Sequence, residues 1–126
     1  MTNQFGLTRI GQISVAVHDL ERAVGFYRDM LGMRFLFQAP PGLAFFECGG
    51  IRLMLTLPEG GSDHHTSVIY YDVADIHAAA DALKGRGVVF ESEPHFVAQL
   101  GESELWMGFL RDPEGNLLAV MSEVPA

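Results

Sequence analysis

The groups in this sequence able to move protons or hold ions are few and scattered. His95 stands in a polar stretch, Pro94 to Ser103, where an imidazole suits an acid, a base or a hydrogen-bond donor near neutral pH. A plain loop role is its alternative. Asp63, His64 and His65 are adjacent and of metal-ligating type, but they fall in Pro58-Glu-Gly-Gly-Ser-Asp-His-His, a run of turn formers in which a solvated turn is the plainer reading. His18 adjoins a helix start and reads as surface. Cys48 is the single cysteine, which excludes an internal disulfide, and beside a hairpin it reads as a small buried hydrophobe rather than a nucleophile. In Glu104-Leu-Trp-Met-Gly-Phe-Leu, Glu104 and Trp106 share one face of a strand and Leu105, Met107 and Phe109 the other. A carboxylate beside an indole suits a cationic or aromatic ligand if that face lines a cavity; otherwise Trp106 packs in the core with Glu104 at the rim. Arg52 can hold a carboxylate or phosphate, or pair with an acidic neighbour at the surface.

These residues must be positioned by strands and helices whose pattern occurs twice. Ile13, Val15 and Val17 alternate with Gln12, Ser14 and Ala16, the period of a strand with one apolar face. Leu20, Ala23, Val24, Tyr27, Met30 and Leu31 then follow helical spacing, with Asp19 as N-cap and Gly32 as stop. The same switch recurs: Ile13 with Ile69, Val17 with Val73, Asp19 with Asp75 and Ala23 with Ala79 are each 56 residues apart. Each half continues with three strands. In the first these are 33–38, 43–48 and 51–57, with Gly49-Gly50 as the hairpin turn. In the second they are 88–91, 104–110 and 117–121; residues 94–103 read as an irregular insertion, and Asp112-Pro-Glu-Gly as a type I turn. The expected organisation is one domain over residues 1–126, with a loose arm at 1–9, modules at about 10–57 and 67–122, and a linker at 58–66.

With 126 residues, two half-size modules cannot each bury an adequate core and must pack together. No apolar run approaches the ~20 residues of a membrane span, and no signal-peptide pattern opens the chain. A formal net charge of −8, from 16 acidic and 8 basic side chains, argues against nucleic-acid or anionic-membrane partners. The lone cysteine suits a reducing cytoplasm.

The β-α-β-β-β repeat, the run Asp-Leu-Glu-Arg-Ala-Val-Gly-Phe-Tyr-Arg-Asp-Met-Leu-Gly-Met at 19–33 and the run Phe-Leu-Arg-Asp-Pro-Glu-Gly-Asn at 109–116 resemble the vicinal oxygen chelate superfamily. That group contains glyoxalase I, bleomycin-resistance proteins, fosfomycin-resistance transferases and extradiol dioxygenases. The resemblance implies an α+β fold of two pseudo-symmetric β-α-β-β-β modules forming a curved, incomplete barrel around a ligand cavity, with the helices outside. It also implies a homodimer, which the open sheet edges favour. In the family's metal enzymes a His or Gln on the first strand of a module and a Glu on its fourth hold a divalent ion that chelates paired substrate oxygens. Carried over, those positions are Gln12, Met54, Val68 and Ala119. Three of the four are apolar, so the expected protein lacks the usual metal site and any metal cofactor. Its expected function is binding a small, partly apolar molecule in a cavity lined by Gln12, Arg52, Met54, Val68, Trp106 and Ala119. The rival expectation is an enzyme of the same fold, a lyase, epimerase or dioxygenase, acting through Gln12 and His95 with a displaced metal or none, with Glu104 a further catalytic candidate. A third is a module whose cavity is filled by its own side chains.

Overall fold

The computed structural model describes residues 5, 8, 10–58 and 67–125; Asp63, His64, His65 and all of the expected linker but its first residue, like most of the expected arm, lie outside them. Two four-stranded sheets carry the repeat. The first has the order β1-β4-β3-β2, from β1 (Gln12–Ala16), β2 (Arg34–Ala39), β3 (Leu43–Cys48) and β4 (Ile51–Thr56). The second repeats that order as β5-β8-β7-β6, from β5 (Ile69–Asp72), β6 (Phe90–Leu100), β7 (Ser103–Arg111) and β8 (Leu117–Pro125). In each, the first strand runs parallel to the fourth, as a helical crossover requires, and the other pairs are antiparallel. The sheets are not closed into a barrel.

Helix α1 (Leu20–Gly25) is capped by Asp19, whose carboxylate accepts from the Arg22 N–H at 3.0 Å. Helix α2 (Ile76–Gly85) is capped by Asp75, which accepts from the N–H groups of His77 and Ala78. The expected single helix to Leu31 is corrected: after Gly25 the chain widens into a π-helical turn, Phe26–Met30, closed by the Leu31 N–H on the Phe26 carbonyl. Here two neighbouring rings, Phe26 and Tyr27, are both buried, which the regular stripe did not include. Gly32 then ends the helix at φ +72°.

The larger correction concerns residues 94–103. They form a hairpin, not an irregular insertion: β6 runs unbroken to Leu100, Gly101 and Glu102 make the turn, and Ser103 opens β7. Three register shifts, between Phe90 and Ser92, Ser92 and His95, and Phe96 and Ala98, break the period of two that identifies a strand in sequence. Pro94 is tolerated because β6 is the sheet edge. Gly108 allows the bulged strand to come close, since a Cβ there would lie 3.1 Å from the Phe90 ring and 3.3 Å from the Pro94 nitrogen.

One core joins the modules. Val15, Leu53, Leu55 and Phe46 from the first sheet meet Ala23, Val24 and Tyr27, and continue into Ile76, Ala80, Leu110, Leu118 and Val120 of the second module. Among the described residues no helix is long and apolar enough to cross a membrane.

Candidate functional site

Alternation decides which side chains stand on the sheet faces turned away from this core. On the first sheet, register pairs Gln12 with Arg52, and Met54 with both Ser14 and Phe45. Their core-facing neighbours are Ile13, Leu53 and Leu55, so Gln12, Arg52, Met54 and Phe45 share the outer face. They form a connected group. Arg52 Nε donates to Gln12 Oε1 at 2.9 Å, Gln12 Nε2 donates to Met54 Sδ at 3.7 Å, and the Arg52 guanidinium sits 5.1 Å from the centre of the Phe45 ring. Phe37 extends the wall, with its ring 4.8 Å from Phe45.

The second sheet offers an equivalent face. Ala119 lies between Tyr70 on β5 and Phe109 on β7, and His95 faces Met107, two residues from Phe109. Strands two apart in a sheet are separated by roughly 10 Å, yet the Tyr70 and Phe109 rings meet edge to face at 6.1 Å. They close over Ala119, which is 0% exposed. A small residue is what allows this closure. His95 stacks on Phe109 at 6.4 Å, and its Nδ1 is 2.7 Å from the Glu93 carbonyl. A carbonyl only accepts, so Nδ1 carries a proton, and in the neutral ring Nε2 is the nitrogen with the lone pair. Val68 precedes β5 and is half-buried.

Trp106 and Glu104 do not join this group. Trp106 pairs with Ser122 in register, one residue out of phase with Ala119, and therefore faces helix α2. Its indole N–H donates to Glu104 at 3.1 Å, and its ring meets His77 at 5.4 Å. The two residues line a separate cavity of about 400 Å³ with Asp75, Ile76 and His77. The expectation of one cavity lined by Trp106 together with Gln12, Arg52, Met54, Val68 and Ala119 is corrected to this extent, since adjacent strand positions point to opposite faces.

A larger cavity, about 540 Å³, lies between the modules on the helix side of the second sheet. Leu31, Met33, Leu83, Leu110 and Val120 are among its walls, and neither cavity is lined by Gln12, Arg52, Met54, Val68 or Ala119. Cys48 lines this larger cavity. Burial and the neighbouring Glu47 carboxylate both push its thiol pKa up, which keeps it protonated and a poor nucleophile. Sequence reasoning passed over Tyr71, which lines the same cavity; the available signal was a tyrosine on the buried side of a strand.

The turn at 112–116 locks the modules together. Asp112, 4% exposed, accepts from Tyr27 Oη at 3.0 Å and from Asn116 Nδ2 and the Glu114 and Asn116 backbone N–H groups, each at 2.9 Å. Burial, then the Asp112 charge, push the Tyr27 phenol pKa upward, so Tyr27 is always the donor. Glu114 accepts from the Asp19 N–H at 2.8 Å, His18 Nδ1 at 3.1 Å and Arg22 at 3.3 Å. Burial works to raise its pKa, but these hydrogen bonds outweigh it and hold the carboxyl below the usual range. Among the described residues no three His, Cys, Asp or Glu side chains converge as metal ligands.

Comparison with known proteins agrees with this architecture. A protein of Vibrio cholerae serotype O1 named "Probable lactoylglutathione lyase" is 26% identical over 131 residues, covering 94% of this chain and 93% of that one. A lactoylglutathione lyase from Agrobacterium tumefaciens superposes with a TM-score of 0.73 at 21% identity, over 93% of this chain and 95% of its own. A superfamily member from Sphaerobacter thermophilus reaches 0.76 at 22% identity, over 92% and 98%. At such identities the structures speak for the fold alone. The family model for the Glyoxalase/Bleomycin resistance protein/Dioxygenase superfamily matches residues 9–120, nearly the whole chain, and the protein belongs to that superfamily.

Proposed function

We propose that this chain binds a small, partly apolar molecule on the outer faces of its sheets without a bound divalent metal. The observation that carries this reading is the state of Gln12. Its carbonyl oxygen already accepts from Arg52 and its amide donates to Met54, so the first candidate metal ligand is tied beside a fixed positive charge. A divalent ion needs three or four donors; Met54 offers a thioether, and Val68 and Ala119 offer none. That set does not fit the ion. It does fit an organic ligand, with Phe37, Phe45 and Met54 as apolar wall and the unused N–H groups of Arg52 for an acceptor or anion.

The same reading has two chains sharing the site. β1 and β2 are the edges of one sheet and β5 and β6 of the other, and Phe37 and Tyr70 on the outer faces are 47% and 45% exposed. A symmetric second copy would cover both the strand edges and these rings.

Untagged protein should contain far less than one metal per chain by elemental analysis, and it should sediment as a dimer. A thermal-shift screen of aromatic carboxylates should find stabilising ligands whose effect is lost in Arg52→Ala. A stoichiometric metal lost on Gln12→Ala would overturn the reading.

A second reading, catalysis, is favoured by one observation. The Glu93 carbonyl fixes the His95 tautomer with Nε2 as a base, on the same face as Tyr70 and Phe109. Chelator-resistant turnover of lactoylglutathione, the compound in the relatives' names, that disappears in His95→Ala would support it.

A further inference from the structure

One wall of the inter-module cavity, Tyr71, carries a buried polar atom that the fold leaves without a hydrogen-bond partner. Tyr71 Oη is buried and has no hydrogen-bond partner, and the cavity that has Tyr71 among its walls measures about 540 Å³, the size of a small-molecule site. A buried hydroxyl without a partner is costly, and the cost is avoided when a ligand or water supplies an acceptor. Burial raises the Tyr71 pKa, so the group is a donor throughout the physiological range. The remaining walls are mostly apolar, with Leu31 and Met33 from the first module and Val73 and Leu83 from the second. Two exposed guanidinium groups, Arg34 and Arg86, border the same space, Arg86 with its Nη1 donating to the Met30 carbonyl at 3.3 Å. A carboxylate, Glu47, also borders it, opposite Arg34 in register and accepting from the Gly50 N–H at 2.6 Å, so the two guanidinium groups outnumber it.

We propose that this cavity, lined by none of Gln12, Arg52, Met54, Val68 and Ala119, is a second binding site for a small amphipathic anion. Its apolar body fills the space between the modules, an acceptor on it receives a hydrogen bond from Tyr71, and its negative group meets Arg34 and Arg86 at the solvent side. Leu31 and Met33 belong to one module and Leu83 and Val120 to the other, so occupancy bridges the two halves and stabilises their packing by mass action.

Cys48 makes the site addressable, because it is the chain's single cysteine and lines this cavity. The probe is 8-anilinonaphthalene-1-sulfonate, and the readout is the rate of Cys48 alkylation by iodoacetamide alongside probe fluorescence. Saturating probe should slow alkylation several-fold, and added salt should weaken binding. Tyr71→Phe keeps the shape and deletes the donor. It should melt higher than wild type without probe, yet bind the probe about fivefold to tenfold more weakly, the worth of one hydrogen bond. Arg34→Ala and Arg86→Ala should weaken binding too, whereas Arg52→Ala on the outer face should leave Cys48 protection unchanged. Probe binding that leaves Cys48 unprotected would overturn the proposal, as would wild-type affinity in Tyr71→Phe, or loss of protection in Arg52→Ala. That last result would assign the anion to the outer face and leave the reading of that face standing.

Discussion

Replacing Ala119 by glutamate puts in the side-chain type that the resemblance to the family's metal enzymes leads one to expect there, and the structure says what it must displace. Ala119 is 0% exposed because the Tyr70 and Phe109 rings close over it at 6.1 Å. A glutamate needs room for four more heavy atoms, a methylene and a carboxylate, so the rings must part. Losing an edge-to-face pair costs about 0.5–1.5 kcal/mol beyond its area, and overpacking a filled site adds about 1–3 kcal/mol. Ala119→Glu should therefore lose about 2–4 kcal/mol. With a urea m-value of about 1–3 kcal/mol/M for a domain of this size, the midpoint should fall by about 1–2 M. Tyr70→Ala opens one side of the lid, so in that background the same glutamate should cost at least ~1 kcal/mol less, a coupling of the size contacting residues show. Urea titrations of the four proteins in the cycle decide it. Equal cost in both backgrounds, or an Ala119→Glu protein as stable as wild type, would show that the aromatic pair does not guard this position.

Other consequences follow from the seam between the modules. Tyr27→Phe removes one donor from buried Asp112 and should cost about 1–3 kcal/mol by urea titration; a neutral effect would mean that the two backbone N–H groups and Asn116 satisfy the carboxylate alone. Glu114 has a folded-state pKa below its unfolded value, near ~4.3. Its contribution is therefore complete above that pH and is lost as pH falls through the lower, folded-state value. Glu114→Gln should be less stable than wild type at neutral pH, with the gap closing as pH falls below about 4; a gap that persists in acid would assign the loss to packing. Asn116→Ala removes a donor from Asp112 and another from the Ala16 carbonyl at 3.1 Å, so it should destabilise by about 1–2 kcal/mol. It should also loosen the inter-module cavity, read as faster Cys48 alkylation.

Local pattern was enough for much of this protein, for a physical reason. A strand alternates and a helix turns every 3.6 residues whatever surrounds them, so Ile13-Ser-Val-Ala-Val and Ile69-Tyr-Tyr-Asp-Val announced strands, and Asp19 and Asp75 announced the caps that the structure contains. The repeat and the identities at 12, 54, 68 and 119 were equally plain, because they are questions of residue type and spacing. Alternation, however, gives a strand two faces without saying which is inward. Only packing against α2 put Trp106 beside His77 and left Phe109 over Ala119. Bulges hid β6, since each shift resets the period on which sequence reading depends. The groups that bind the modules together were out of reach for a different reason. Tyr27 and Asp112 are 85 residues apart and Asp19 and Glu114 are 95 apart, and nothing in either neighbourhood names the other. The solitary Tyr71 hydroxyl is likewise a tertiary fact, because being without a partner depends on every residue that fails to reach it.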